Sequence, residues 1–168
     1  VTILVDYRVL NRHGTDARIA ISDAKSAMRW VRENASTLGI DSTRIAASGG
    51  SAGGHLAAAT SVVSGFDSRK DNLEVSSKPN ALALFNPVLE LSGRVEARRS
   101  VVGDFALEIS PLHQLLDSSV PTLIQHGIED QTVPFSDAEN YCRKLEKLEG
   151  KCILFGYEEA DHGFFNKG

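Results

Sequence analysis

Residues 44–56, RIAASGGSAGGHL, limit what this chain can fold into more than any other stretch. A short apolar run leads into Gly49, Gly50, Gly53 and Gly54, which bracket Ser51, and an alanine-rich run follows. Glycine at this density costs backbone entropy on folding, so the turn must need it. Strand, Gly-x-Ser-x-Gly, helix is the order of a nucleophile elbow. The turn is sharp enough to strain the serine backbone, and Gly49, Gly50 and Gly53 leave room for the close approach. The Ser51 hydroxyl then stands at the carboxyl end of a sheet, where open parallel sheets bind ligands. Two other readings compete. A glycine-rich turn can bind phosphate on free N–H groups at a helix start. Against this, His55-Leu56 follow Gly54 where a P-loop carries Lys-Ser/Thr, and the glycine spacing does not give GxGxxG. A purely structural turn stays open on this stretch alone.

The rest of the chain alternates. Buried-strand patterns fall at residues 1–7 (VTILVDY), 44–48, 80–86, 120–126 and 152–157. Helical patterns fall at 16–38, 53–64 and 136–149. In the first helix Ile19, Ala20, Ala24, Ala27, Met28, Val31 and Leu38 share a face. Asp23, Lys25, Arg29, Arg32 and Glu33 are available for the opposite, solvent face, and Gly39 is the stop. Residues 65–79 read as a polar loop. Residues 89–109 are mixed, with RVEARRS at 94–100 helical or part of a lid. This order predicts an α/β fold: a predominantly parallel sheet with right-handed crossovers and helices on both faces, as one domain over residues 1–168.

Composition narrows the class. The 168 residues are 42% apolar and 24% charged, as in a soluble globular domain. A net charge of −4 leaves no nucleic-acid footprint. No window approaches the roughly 18 apolar residues of a membrane span, and no signal peptide stands at the start. The chain begins with Val1 and ends in FFNKG without a closing helix, so the reading is of a piece cut from a longer parent. Cys142 and Cys152 lack zinc spacing. They are either two reduced thiols or a disulfide between the last helix and the last strand. A disulfide points to a periplasmic or secreted protein, and free thiols to the cytoplasm.

A serine hydroxyl needs a base, and the base needs an orienting carboxylate. Of the five histidines, His162 follows the last strand, in EEADHGFFN, and so opens at the carboxyl end of the sheet. His55 sits on the helix after the elbow and points wrongly for Ser51. His113 suits capping or packing, His126 a structural turn, and His13 an early loop. Asp130, in HGIEDQTVP after the fourth strand, is the candidate acid. Glu129 competes with it, and Asp161 is the neighbour of His162 and poorly placed to orient it. The chain order Ser51, Asp130, His162 is that of α/β-hydrolases, not of chymotrypsin or subtilisin types.

VDYR at 5–8, RENASTLGIDSTRIAASGGSAGGHLAAA, HGIEDQTVPFSDAE and YEEADHGFFN together cover nearly the whole chain. With them the sequence resembles the α/β-hydrolase superfamily. Within it, the match is to the acetyl-esterase/lipase-like group that includes hormone-sensitive-lipase-type carboxylesterases. The resemblance implies Ser51 as nucleophile, Asp130 as acid, His162 as base, and the Ala52 N–H as an oxyanion donor. It also implies an HGGG-type oxyanion loop ahead of the strand matching VTILVDYR. No such loop occurs here, and His13-Gly14 lies after that strand, so the N-terminal strands are expected to be missing with it. Removing an oxyanion donor costs about 100- to 1000-fold in rate. The implied reaction is cleavage of a small-molecule ester through an acyl-enzyme, with no metal and no organic cofactor. By analogy the substrate is a short-acyl ester, such as an acetylated carbohydrate. The acyl pocket is expected from the lost N-terminus and residues 87–110, with Phe164 and Phe165 either as an apolar wall or, for at least one of them, packed in the core. A peptidase or amidase with the same triad, or a non-catalytic binding module, are the alternatives. Oligomeric state is not legible.

Overall fold

A computed structural model describes residues 1–94 and 102–166. Four of the predicted strands form one parallel sheet in the order β1-β2-β3-β4: β1 (Ala46–Gly50), β2 (Ala81–Phe85), β3 (Thr122–Gly127) and β4 (Cys152–Tyr157). Gly50 pairs with Phe85, Phe85 with Gln125, and Gln125 with Phe155. These residues lie level across the sheet, so the loops that follow them open together at one end.

The three main helices are α1 (Ala17–Glu33), α2 (Ala52–Val62) and α3 (Phe135–Lys147). The Asp16 carboxylate caps α1 by accepting the Arg18 N–H at 2.9 Å. The predicted run to residue 38 breaks at Asn34, and a further turn, Ala35–Leu38, ends at Gly39. Helix α2 is hydrophobic all round because it is enclosed. Its Ala57 and Ala58 meet Ala47, Leu82, Leu84 and Ile124 of the sheet, where Tyr141 and Leu145 of α3 also pack. Its Leu56, Ala59 and Val63 meet Ala20 and Ile21 of α1. Small side chains on α2 let the helix sit close to the sheet.

Three features differ from the sequence expectation. Residues 1–7 are not a strand. A strand exists through its ladder, and a groove of about 460 Å³ separates Ile3 and Val5 from the free edge of β1 at Ala46–Gly49. Secondly, the described helices gather on one face of the sheet. Ser48, Ile153 and Phe155 of the other face stay exposed. Right-handed crossovers keep successive helices on one side while strand order advances in one direction, as β1 to β4 does here. Thirdly, Lys25 and Arg29 are buried rather than solvated, at 3% and 7% exposure. The 65–79 loop folds over them. Arg29 donates to Asp67 (2.6 Å), Asp71 (3.0 Å) and the Val75 carbonyl (2.9 Å). The Lys25 ammonium meets the Gly65 carbonyl at 2.5 Å and Asp67 at 3.5 Å.

Cys142 on α3 and Cys152 at the start of β4 are joined as a disulfide, their Cα atoms 5.2 Å apart. Among the described residues no helix is long and apolar enough to cross a membrane. Nor does any group of three His, Cys, Asp or Glu there suit a metal ion. The RVEARRS stretch from residue 95 onward lies outside the described residues.

Candidate active site

Strand β1 runs straight into the elbow. Ser51 takes φ +53°, a conformation that non-glycine residues adopt only when their surroundings impose it. Two hydrogen bonds impose it. The Ser51 N–H donates to the Phe85 carbonyl at 3.0 Å, and the Val88 N–H donates to the Ser51 carbonyl at 3.2 Å. A Cβ on Gly49 would collide with the Gly53 carbonyl, so a larger residue at 49 would force the strand end and helix start apart. Ala52 is the first residue of α2 and is exposed. Its N–H has no carbonyl four residues back within the helix, and it points out at the positive end of the helix dipole.

The loops after β3 and β4 meet at Gly127, where a Cβ would strike the Ala160 carbonyl. The Glu129 N–H donates to that same carbonyl at 3.1 Å. This contact carries His162 to Asp130 and Ser51. His162 Nδ1 lies 2.7 Å from Asp130 Oδ2, and Nε2 lies 3.0 Å from Ser51 Oγ. A carboxylate only accepts. The ring proton therefore sits on Nδ1, and Nε2 is left to accept from the Ser51 hydroxyl. The three predicted residues come together in one hydrogen-bonded line. Of the competing carboxylates, Glu129 is exposed and the His162 ring addresses Asp130.

Asp130 is buried, and its other oxygen accepts the N–H groups of Thr132 and Val133, both at 2.8 Å. Burial alone would push this carboxyl up. The Val133 N–H, the His162 ring and the Thr132 N–H outweigh burial and hold it below the ordinary carboxylate range. A second histidine joins the acid. His126 is fully buried, with Nε2 at 2.9 Å from the Val133 carbonyl and 3.2 Å from Asp130 Oδ2. Both partners accept, so the proton is on Nε2. Burial lowers the His126 pKa and keeps the ring neutral. Sequence reasoning gave His126 only a turn role; its position at the end of a strand, four residues before Asp130, was the available signal.

The remaining histidines stand apart from this line. His55 is buried with Nε2 at 2.7 Å from the Ile109 carbonyl, His113 pairs with Glu90, and His13 accepts the Val9 N–H at 3.0 Å. An apolar pocket of about 260 Å³ opens beside Ala52, between Tyr7, Leu56, Val88, Leu91 and Val102. Phe165 packs on Phe85, ring centroids 5.0 Å apart, and Phe164 packs on Tyr157 at 4.8 Å.

The family model BD-FAE matches residues 1–145, a span holding Ser51 and Asp130. The chain belongs to the BD-FAE family. It is similar to an acetylxylan esterase of Xylanibacter ruminicola, with 27% identity over 96% of this chain and 34% of that protein. It is similar in structure to Thermogutta terrifontis esterase 2 phosphonylated by sarin. That match has TM-score 0.92 and 41% identity, and covers 97% of this chain and 63% of that one. The same esterase with propionate bound matches with TM-score 0.89 and 42% identity, over 95% of this chain and 61% of that one. The fold is that of an α/β-hydrolase. This family member spans about a third of the acetylxylan esterase and under two thirds of the esterase of known structure.

Proposed function

We propose that these residues are the catalytic part of a serine esterase acting on short-acyl carboxylic esters. The observation that carries the reading is the Ser51–His162–Asp130 line, with 3.0 and 2.7 Å separations, at the mouth of the elbow. Ser51 Oγ attacks the ester carbonyl while His162 Nε2 takes its proton. Asp130 holds the Nδ1–H tautomer and stabilises the imidazolium. The Ala52 N–H receives the developing oxyanion. His162 returns the proton to the departing alkoxide, leaving an acyl-enzyme. Water, deprotonated by the same nitrogen, then releases the acid and restores Ser51. Residues 1–168 act in one hydrolase domain, and the disulfide suits an oxidising compartment.

The pocket beside Ala52 favours a short acyl group. It is apolar and small, and it draws Val88, Leu91 and Val102 from the stretch expected to form it. The propionate seen in the Thermogutta terrifontis esterase and the acetylxylan activity in the name of the other relative agree with this choice. The test is a p-nitrophenyl ester series on the natural-length protein. Overfilling a packed site costs about 1–3 kcal/mol. The kcat/KM is therefore expected to peak between acetate and butyrate and to fall about tenfold or more at decanoate. A preference for decanoate would overturn the short-acyl reading.

A further inference from the structure

Asn86 immediately follows β2. It is fully buried, yet its backbone takes φ +31°. Asparagine tolerates that region better than most residues, though it is still a conformation that must be held. A buried amide is costly unless hydrogen-bonded, and the contacts of this one lead to a single place. Nδ2 lies 3.3 Å from His162 Nδ1 and 3.5 Å from His162 Nε2. Oδ1 faces the Gly163 N–H at 3.4 Å, which orients the amide with its NH2 toward the ring. The Asn86 N–H donates to the Gln125 carbonyl at 2.8 Å, tying the residue to β3.

We infer that Asn86 is a positioning residue for the base, an inference that rests on the Ser51–His162 reading above. The chain around it holds both partners. Phe85 and Val88 clamp the Ser51 backbone, and the Asn86 side chain touches the His162 ring and the next residue. Ser51 and His162 are 111 residues apart in the chain, and residues 85–88 bridge them. The geometry explains why a third contact is useful. Asp130 and Ser51 hold the ring at its two nitrogens, which fixes one axis but leaves rocking about it. The nearly equal distances from Nδ2 to both nitrogens place the amide beside that axis, where it opposes rocking. Sequence reasoning had no purchase on this residue, which it placed as the last position of the 80–86 strand pattern.

The test separates the side chain from the backbone. Asn86→Gly removes the amide but accepts φ +31° freely. Asn86→Asp keeps the shape and the acceptor for Gly163 but sets a carboxylate oxygen in place of the NH2 that lies against the ring. Both are made in the natural-length protein, beside Ser51→Ala and His162→Ala. Small misplacements of catalytic groups cost up to about 10²-fold. The expected result in both folded variants is a fall in kcat of about 10- to 100-fold with unchanged KM, matched by slower phosphonylation of Ser51 and larger than any loss of folded fraction. The Tm of Asn86→Asp is expected to fall because its carboxylate is buried. Wild-type kcat in either folded variant overturns the inference. So does activity that only tracks a lost folded fraction in both variants. If Ser51→Ala and His162→Ala abolish turnover while Asn86→Gly retains it, only the Asn86 role fails. If those two retain turnover, the triad reading itself fails.

Discussion

Replacing Asp130 by asparagine changes one atom type and tests the tautomer directly. In the native chain Oδ1 accepts the Thr132 and Val133 N–H groups, and Oδ2 faces His162 Nδ1 and His126 Nε2. An asparagine keeps its oxygen on the two backbone donors, since an NH2 there would meet two N–H groups. Its NH2 therefore faces His162 and donates to Nδ1. The imidazole proton is driven to Nε2, where it opposes the Ser51 hydroxyl instead of accepting from it. The analogous change in serine proteases lowers kcat about 10⁴-fold, or roughly 5 kcal/mol of transition-state stabilisation. The second N–H of that amide faces the His126 Nε2–H, which keeps the Val133 carbonyl, so the amide donor is the one left unsatisfied, at a cost of about 1–3 kcal/mol in stability. Asp130→Asn is therefore expected to fold with a lowered Tm, to keep its KM for p-nitrophenyl acetate, and to lose nearly all kcat. A folded variant with kcat within tenfold of the native value would refute the reasoning, because the line of hydrogen bonds would then not set the tautomer.

Three further outcomes test other parts of the structure. Arg29→Ala leaves Asp67 and Asp71 partly buried without their main partner, and is expected to cost about 3 kcal/mol in urea unfolding; a loss under about 0.5 kcal/mol would place these charges in water. Burial lowers the His126 pKa, so between its ordinary and native values the unfolded chain binds the extra proton. Stability is therefore expected to drop as pH falls below the usual histidine range, and the drop to shrink in His126→Gln, measured by chemical denaturation across pH. Reducing the Cys142–Cys152 bond opens a loop of sequence separation 10 and is expected to cost about 2–3 kcal/mol, read as a lower urea midpoint after treatment with dithiothreitol.

The elements legible in the sequence share a physical reason. Ser51, Asp130 and His162 each follow a strand of a parallel sheet, so local pattern alone carries them to the same end of the sheet. Gly49 announces a close approach that the structure then shows, at Gly53. What was not legible depends on long-range partners. Lys25 and Arg29 look like a solvated helix face until Asp67 and Asp71 fold back over them. VTILVDY has the composition of a strand, but no ladder partner among the described residues makes it one. Asn86 and His126 are single polar residues whose environments only the assembled sheet creates. The helices expected on both faces followed from alternation alone, whereas the side they take depends on strand order, which local pattern does not contain.

The most direct measurement is covalent labelling of the natural-length protein with a fluorophosphonate, mapped by mass spectrometry. The reading of Ser51 as an activated nucleophile predicts one modified site, Ser51, with labelling lost in Ser51→Ala and strongly slowed in His162→Ala. Labelling of folded protein at another residue, or labelling of Ser51 at the same rate without His162, would contradict it.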